Sequence, residues 1–146
     1  MGFVISRRDE FFPAAKVSVL SNATLIGRDD VAKALRKVDN PILKIDASSQ
    51  DLAQKINKPV GTYRLADVID QLKSFDGNFI LQTMFLRSPD VDTARPESLE
   101  KWMGIVRSLK PREIMVYTID RETPDKSLGK YTPDEMMEFV RPLIDE

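Results

Sequence analysis

The order of apolar segments in this chain predicts an α/β fold of four parallel strands alternating with helices. Short apolar, β-branched runs recur along it, and each is followed by a stretch with apolar residues at helical spacing. Strands separated by helices pair in parallel through right-handed crossovers. The 146 residues are a comfortable length for a single domain, 1–146.

"KVSVLSN" gives a first strand near 16–22. "RDDVAKALRKV" then sets Val31, Leu35 and Val38 at helical spacing, with Asp29 and Asp30 near its start. Asn40-Pro41 is a breaker before a second strand near 41–46, and "SQDLAQKI" is a short helix. Gly61 marks a loop, after which Leu65, Val68, Ile69 and Leu72 share one helix face. Asp76-Gly77 signals a turn into the third strand, near 78–86, whose apolar residues run on both faces. "ESLEKWMGIVRSL" turns Leu99, Trp102, Met103 and Val106 inward, and a fourth strand lies near 113–119. Thr132, Pro133 and Glu135 form a capping box for a last helix that carries Pro142 late in its length. Such units build either a small open sheet or half of a (β/α) TIM-type barrel.

Hydrophobic residues make up 42% of the chain, enough for a core, and a net charge of −1 gives no electrostatic case for nucleic acid. No apolar run approaches the ~20 residues of a membrane span, and the N-terminus lacks the apolar region of a signal peptide. A cytoplasmic location is therefore expected. There is no cysteine and no histidine. Zinc sites, thiol nucleophiles and Ser-His-Asp relays draw on those side chains, and no metal ligand set is expected. Chemistry is left to carboxylates, lysine, tyrosine, hydroxyls and backbone dipoles.

The four strands end in "SNAT", "DASS", "RSPD" and "DRET". In a parallel sheet these ends share one edge, where ligands meet the chain. Every strand must also exit into water, and Ser48 or Ser49 serves equally as a helix cap. Lys44 lies inside an apolar strand with Asp46 two positions on, on the same face. Gln82 and Thr83 interrupt "FILQTMFL" with polar groups that need partners. Asp120 and Arg121 pair locally, or Arg121 grips a carboxylate or phosphate with its planar fork.

The segments "VSVLSNATLI", "NPILKIDASS", "FILQTMFL" and "EIMVYTIDRETP" resemble consecutive barrel strands of the radical S-adenosylmethionine (radical SAM) enzymes, from about Pro13 onward. That family's C-x₃-C-x₂-C segment, which holds an iron–sulfur (4Fe-4S) cluster, is missing here. The resemblance implies the C-terminal part of a partial barrel, a fragment whose parent would cleave S-adenosylmethionine reductively and act on a small-molecule substrate. It implies a cofactor-binding set of Ser21, Asn22, Lys44, Asp46, Ser48, Gln82 and Thr83, and a substrate-binding set of Tyr117, Asp120 and Arg121. This chain alone is expected to hold neither cofactor, to contain no catalytic residue and to be inactive.

A half-barrel leaves its sheet edges uncovered, so a homodimer or a rearranged open sheet is expected, with apolar residues such as Met84 and Leu86 buried at a contact. The competing reading is a non-enzymatic, flavodoxin-like open sheet with helices on both faces, binding a small ligand or a partner at its C-terminal edge. A carboxylate hydrolase built on Asp46 and Asp120 is a third.

Overall fold

The computed structural model describes residues 1–145. In chain order the elements are α1 (Gly2–Phe11), β1 (Ser18–Ser21), α2 (Asp29–Leu35), β2 (Asn40–Lys44), α3 (Gln50–Asn57), α4 (Leu65–Lys73), β3 (Ile80–Met84), α5 (Pro96–Leu109), β4 (Glu113–Tyr117) and α6 (Pro133–Ile144). Four parallel strands thus alternate with helices in one open sheet of order β1-β2-β3-β4. Every strand and helix read from the apolar pattern is present. α1 is additional: none of its residues is buried, so it carries no amphipathic pattern to read.

The pairing register sorts the strand residues into two faces. Leu43, Leu81 and Ile114 lie side by side, and so do Lys44, Gln82 and Met115. The first row belongs to the core. With Val19, Ile45 and Val116 it packs against the inward residues of α2, α4, α5 and α6, among them Leu35, Leu72 and Trp102. The densest part is aromatic, where Phe85 meets Trp102 and Phe139 edge-on with centroids 5.3 Å away in each case. The opposite face is partly open: Ile42 and Ile80 are buried there, but Leu20 is exposed, and Lys44, Gln82, Met84, Met115 and Tyr117 are half-buried.

Two expectations need correction. A flavodoxin-like sheet with helices on both faces is not observed, because the strand order runs through without reversal and the buried cluster draws on one face. Leu86 is not free for a contact between copies, being buried inside the chain, where its backbone pairs with the Thr93 hydroxyl. Among the described residues no helix is long and apolar enough to cross a membrane.

The N-terminal end of the sheet is sewn across strands by arginines. Arg112 donates to the Asp39 carbonyl at 2.6 Å, to Asn40 Oδ1 at 2.9 Å and to Asn78 Oδ1 at 3.1 Å. Arg8 of α1 donates to Asp39 Oδ2 at 2.7 Å and to the Ala15 carbonyl at 2.9 Å. The turn before β3 depends on Gly77, which sits at φ +76° with its open side against Lys110, whose carbonyl oxygen a Cβ would meet at 2.3 Å.

Candidate functional site

Lys44 ends β2 on the partly open face, and Asp46 follows two residues later on the same side. Their charged ends meet at 3.0 Å, with Asp46 almost wholly buried and Lys44 partly open. Asp46 also accepts the Met84 backbone N–H at 2.9 Å, which fastens the end of β2 to β3. The Lys44 ammonium stands 5.6 Å from the centre of the Tyr117 ring on β4. Burial pushes the Asp46 carboxyl above the ordinary range, although the Lys44 charge and the Met84 N–H pull the other way. Burial opposes the Lys44 charge too, but hydrogen bonding to Tyr117 and the Asp46 carboxylate outweigh it and hold the ammonium above the usual lysine value. The pair is held in a site that is costly for charge.

Around this pair the surface is hollow. A cleft of about 600 Å³ runs from Asn22 and Thr24 past Lys44 and Asp46 to Asn57, Lys58 and Tyr63. Lys44 and Asn22 also border a smaller hollow of about 260 Å³ over the sheet, with Ser21, Gln82 and Tyr117. Five residues expected at the site from sequence, Ser21, Asn22, Lys44, Gln82 and Tyr117, therefore border one hollow, with Asp46 in the adjoining cleft. Gln82 also donates to Met115 Sδ at 3.3 Å.

The "SNAT" segment is a self-capping turn. Ser21 Oγ accepts the Ala23 N–H at 3.1 Å, and Asn22 Oδ1 accepts from the Thr24 N–H and hydroxyl at 3.2 and 2.8 Å. Those side chains already have partners, yet Asn22 remains exposed at the rim.

The other expected residues lie elsewhere. Thr83 faces the helices rather than the hollow, because strand side chains alternate. It donates to the Ile45 carbonyl at 2.8 Å and accepts from Trp102 Nε1 at 3.0 Å, a core polar pair. Ser48 lines a separate hollow with Ser49, Asp92 and Arg95. Its hydroxyl is buried without a partner among the described residues, while Ser49 caps α3 by accepting the Leu52 N–H. Asp120 and Arg121 are exposed on the loop after β4 and border a shallow hollow of their own. Asp46 lines the cleft beside Lys44, whereas Asp120 borders the hollow after β4. Among the described residues no group of three or more acidic side chains is placed to hold a metal ion.

Sequence reasoning missed the far wall of the cleft. The segment 58–64 supplies Lys58, Thr62 and Tyr63 to it. Lys58 takes a left-handed conformation, φ 40°, to end α3 and turn the chain back. Gln50 fixes the return by donating to the Tyr63 carbonyl and accepting the Leu65 N–H, each at 2.8 Å. Burial, helped by the Asp46 charge, raises the Tyr63 phenol above its usual pKa. The readable signal was two helices in one crossover, which places one of them over the sheet's end.

Comparison with known proteins corrects the resemblance to radical SAM enzymes. No protein-family model matches the chain, and no solved structure matches it. UPF0026 protein slr1464 of Synechocystis sp. is 27% identical over 110 residues, covering 73% of this chain. UPF0026 is a different family from the one expected, so the iron–sulfur and S-adenosylmethionine assignments lose their ground. The chain spans 40% of that relative's length, and at this identity the finding is a distant similarity.

Proposed function

We propose that the chain is a non-enzymatic binding module that takes a small, acidic, polar ligand at the C-terminal edge of its sheet. The observation that carries this is the Lys44–Asp46 pair, kept at 3.0 Å in the wall of a cleft of about 600 Å³. Binding clefts combine apolar walls with a few convergent polar groups. Lys44 and Lys58 offer positive charge here, and Asn22, Thr24, Asn57 and Thr62 offer neutral hydrogen-bonding groups. A ligand carboxylate or phosphate would draw the Lys44 ammonium outward, with Asp46 still held by the Met84 N–H.

The same reading takes the sheet as half of a (β/α) barrel. Its support is the sequential parallel order, the single helix-covered face and the polar residues on the opposite, inner face.

The test is a thermal-shift screen with phosphate, citrate and nucleoside monophosphates as probes, followed by calorimetry. At least one probe is expected to raise the melting temperature in a concentration-dependent way. That shift is expected to vanish in the paired variant Lys44→Met/Asp46→Asn, which removes both charges together. Binding that is unchanged in this variant, or the absence of any shift, would overturn the proposal.

A further inference from the structure

The chain leaving β2 and the chain leaving β3 enclose a hollow of about 160 Å³ that shares no lining residue with the Lys44 cleft. Two helices begin at it: Ser49, the N-cap of α3, and Arg95, the N-cap of α5, both line it. The first N–H groups of a helix lack partners within it, and the helix dipole adds positive potential there. Ser49 answers one such donor, the Leu52 N–H, whereas Arg95 caps none with its side chain. A helix end alone specifies no ligand, but two serines at this hollow add a second signal. Ser98, in the first turn of α5, is 7% exposed, and its hydroxyl has no hydrogen-bond partner among the described residues. Ser74 and Ser108, by contrast, donate to carbonyls one turn back, those of Gln71 and Ile105, at 2.6 and 2.8 Å. The corresponding carbonyl for Ser98, that of Arg95, already accepts the N–H groups of Ser98 and Leu99. Ser98 Oγ is not fully sealed, so it opens to the hollow that Ser98 lines. Ser48 Oγ, in the same wall, is buried without a partner. Of the described serines that are not exposed, Ser21, Ser49 and Ser88 each accept a hydrogen bond; Ser48 and Ser98 do not, and both stand here.

From this convergence we infer that the hollow binds a phosphate group, free or carried by a small ester. A tetrahedral oxyanion presents acceptors in several directions at once, which two helix ends and two hydroxyl donors can meet together. Seating it there gives Ser98 the partner it lacks and offsets the cost of burying a hydroxyl unpaired. Lys55, Arg95 and Lys101 border the hollow and form no ion pair among the described residues. The planar fork of Arg95 suits two phosphate oxygens. Three carboxylates also border it, and each is set apart from the serines' role. Asp92 is held by the Ala94 N–H and the Tyr131 hydroxyl, while Asp90 and Glu97 are exposed and reach water. The three are not placed to hold a metal ion, so the donors, and not the acids, define the ligand. This site stands whether or not the Lys44 cleft takes a ligand.

Backbone amide NMR of the 146-residue chain tests it, with inorganic phosphate as the probe and chloride at equal ionic strength as the control. Saturable shifts are expected at the amides of Gln50, Asp51, Glu97 and Ser98. Glycerol 3-phosphate, titrated in the same way, tells an ester from the free ion by which of the two binds more tightly. Ser98→Ala and Arg95→Gln are each expected to weaken phosphate binding at these amides by about tenfold, the worth of one hydrogen bond to a charged group. Ser98→Ala removes a hydroxyl that has no partner, so the fold is expected to persist, and the spectrum itself checks this. Lys126→Gln, an exposed cation away from the hollow, is expected to leave binding unchanged. Shifts that never saturate, shifts equalled by chloride, or saturable binding indifferent to both Ser98→Ala and Arg95→Gln would overturn the inference. Shifts confined to Asn22, Lys44 and Lys58 would overturn it too, and would leave the reading of the Lys44 cleft standing.

Discussion

Lys44 and Asp46 form an ion pair whose two members stand in unequal surroundings. Asp46 is 2% exposed at its side chain and Lys44 is 30% exposed, so removing the lysine strands a buried carboxylate. Lys44→Met is expected to destabilise the chain by roughly 3 kcal/mol. Adding Asp46→Asn to it should recover most of that loss, because the amide oxygen can still accept the Met84 N–H without carrying charge. Urea denaturation of the single and double variants gives the comparison, and a double variant no more stable than Lys44→Met would sink the account. The pair was legible in the sequence from its spacing alone, since residues two apart on a strand share a face. Thr83 was not, for the same reason turned round: a polar residue in an apolar strand announces itself but does not say which face it takes. Its bonds to Ile45 and Trp102 show a core role that only the pairing register reveals.

Among the elements, two glycines of like appearance in sequence have opposite roles. Gly77 sits at φ +76° with Lys110 at its back, and Ala there meets the carbonyl oxygen at 2.3 Å. Gly77→Ala is expected to cost about 3 kcal/mol, in the range of severe backbone and packing conflicts. Gly104 lies inside α5 with nothing within 4 Å of an added Cβ. Gly104→Ala is expected to stabilise the chain by about 0.5–1 kcal/mol. Thermal melts of both variants check the sign as well as the size. The turn was readable because Asp-Gly is strong local chemistry, and the capping box of α6 was readable for the same reason: Thr132 and Glu135 bond reciprocally as their spacing predicts. α1 and the 58–64 wall were not. α1 has no buried face, and the wall is set by where α3 points, which no local pattern encodes.

The molecule as a whole responds to acid through contacts such as the one that moors α1. Asp39 accepts the Val17 N–H and the Arg8 guanidinium, and these hold its carboxyl down at about 2, below its ordinary 3.8. A carboxyl more acidic in the folded than in the unfolded chain stabilises the fold above the unfolded value. That contribution is expected to fade as the pH falls from 3.8 towards 2. Asp39→Asn should therefore lose stability less steeply than wild type over that window, measured as urea midpoints at successive pH values. Equal slopes would show that Asp39 is not linked to folding. The alternation of strands and helices fixed the sheet at this scale from sequence. The likeness to a radical enzyme did not survive, because short β-branched strands with polar ends are what any parallel sheet requires and so distinguish families poorly.

Arg112 and Arg8 tie the base of the sheet across several strands, while some turns at the rim bond within themselves, as at Ser21–Ala23, Asn22–Thr24 and Asp125–Ser127. A turn complete in itself can be exchanged as a cassette, because nothing elsewhere relies on its side chains. The base cannot, since one guanidinium there answers to residues far apart in the chain. Heritable change in these turns is thereby separated from change in whether the protein folds, and the two can drift at different rates.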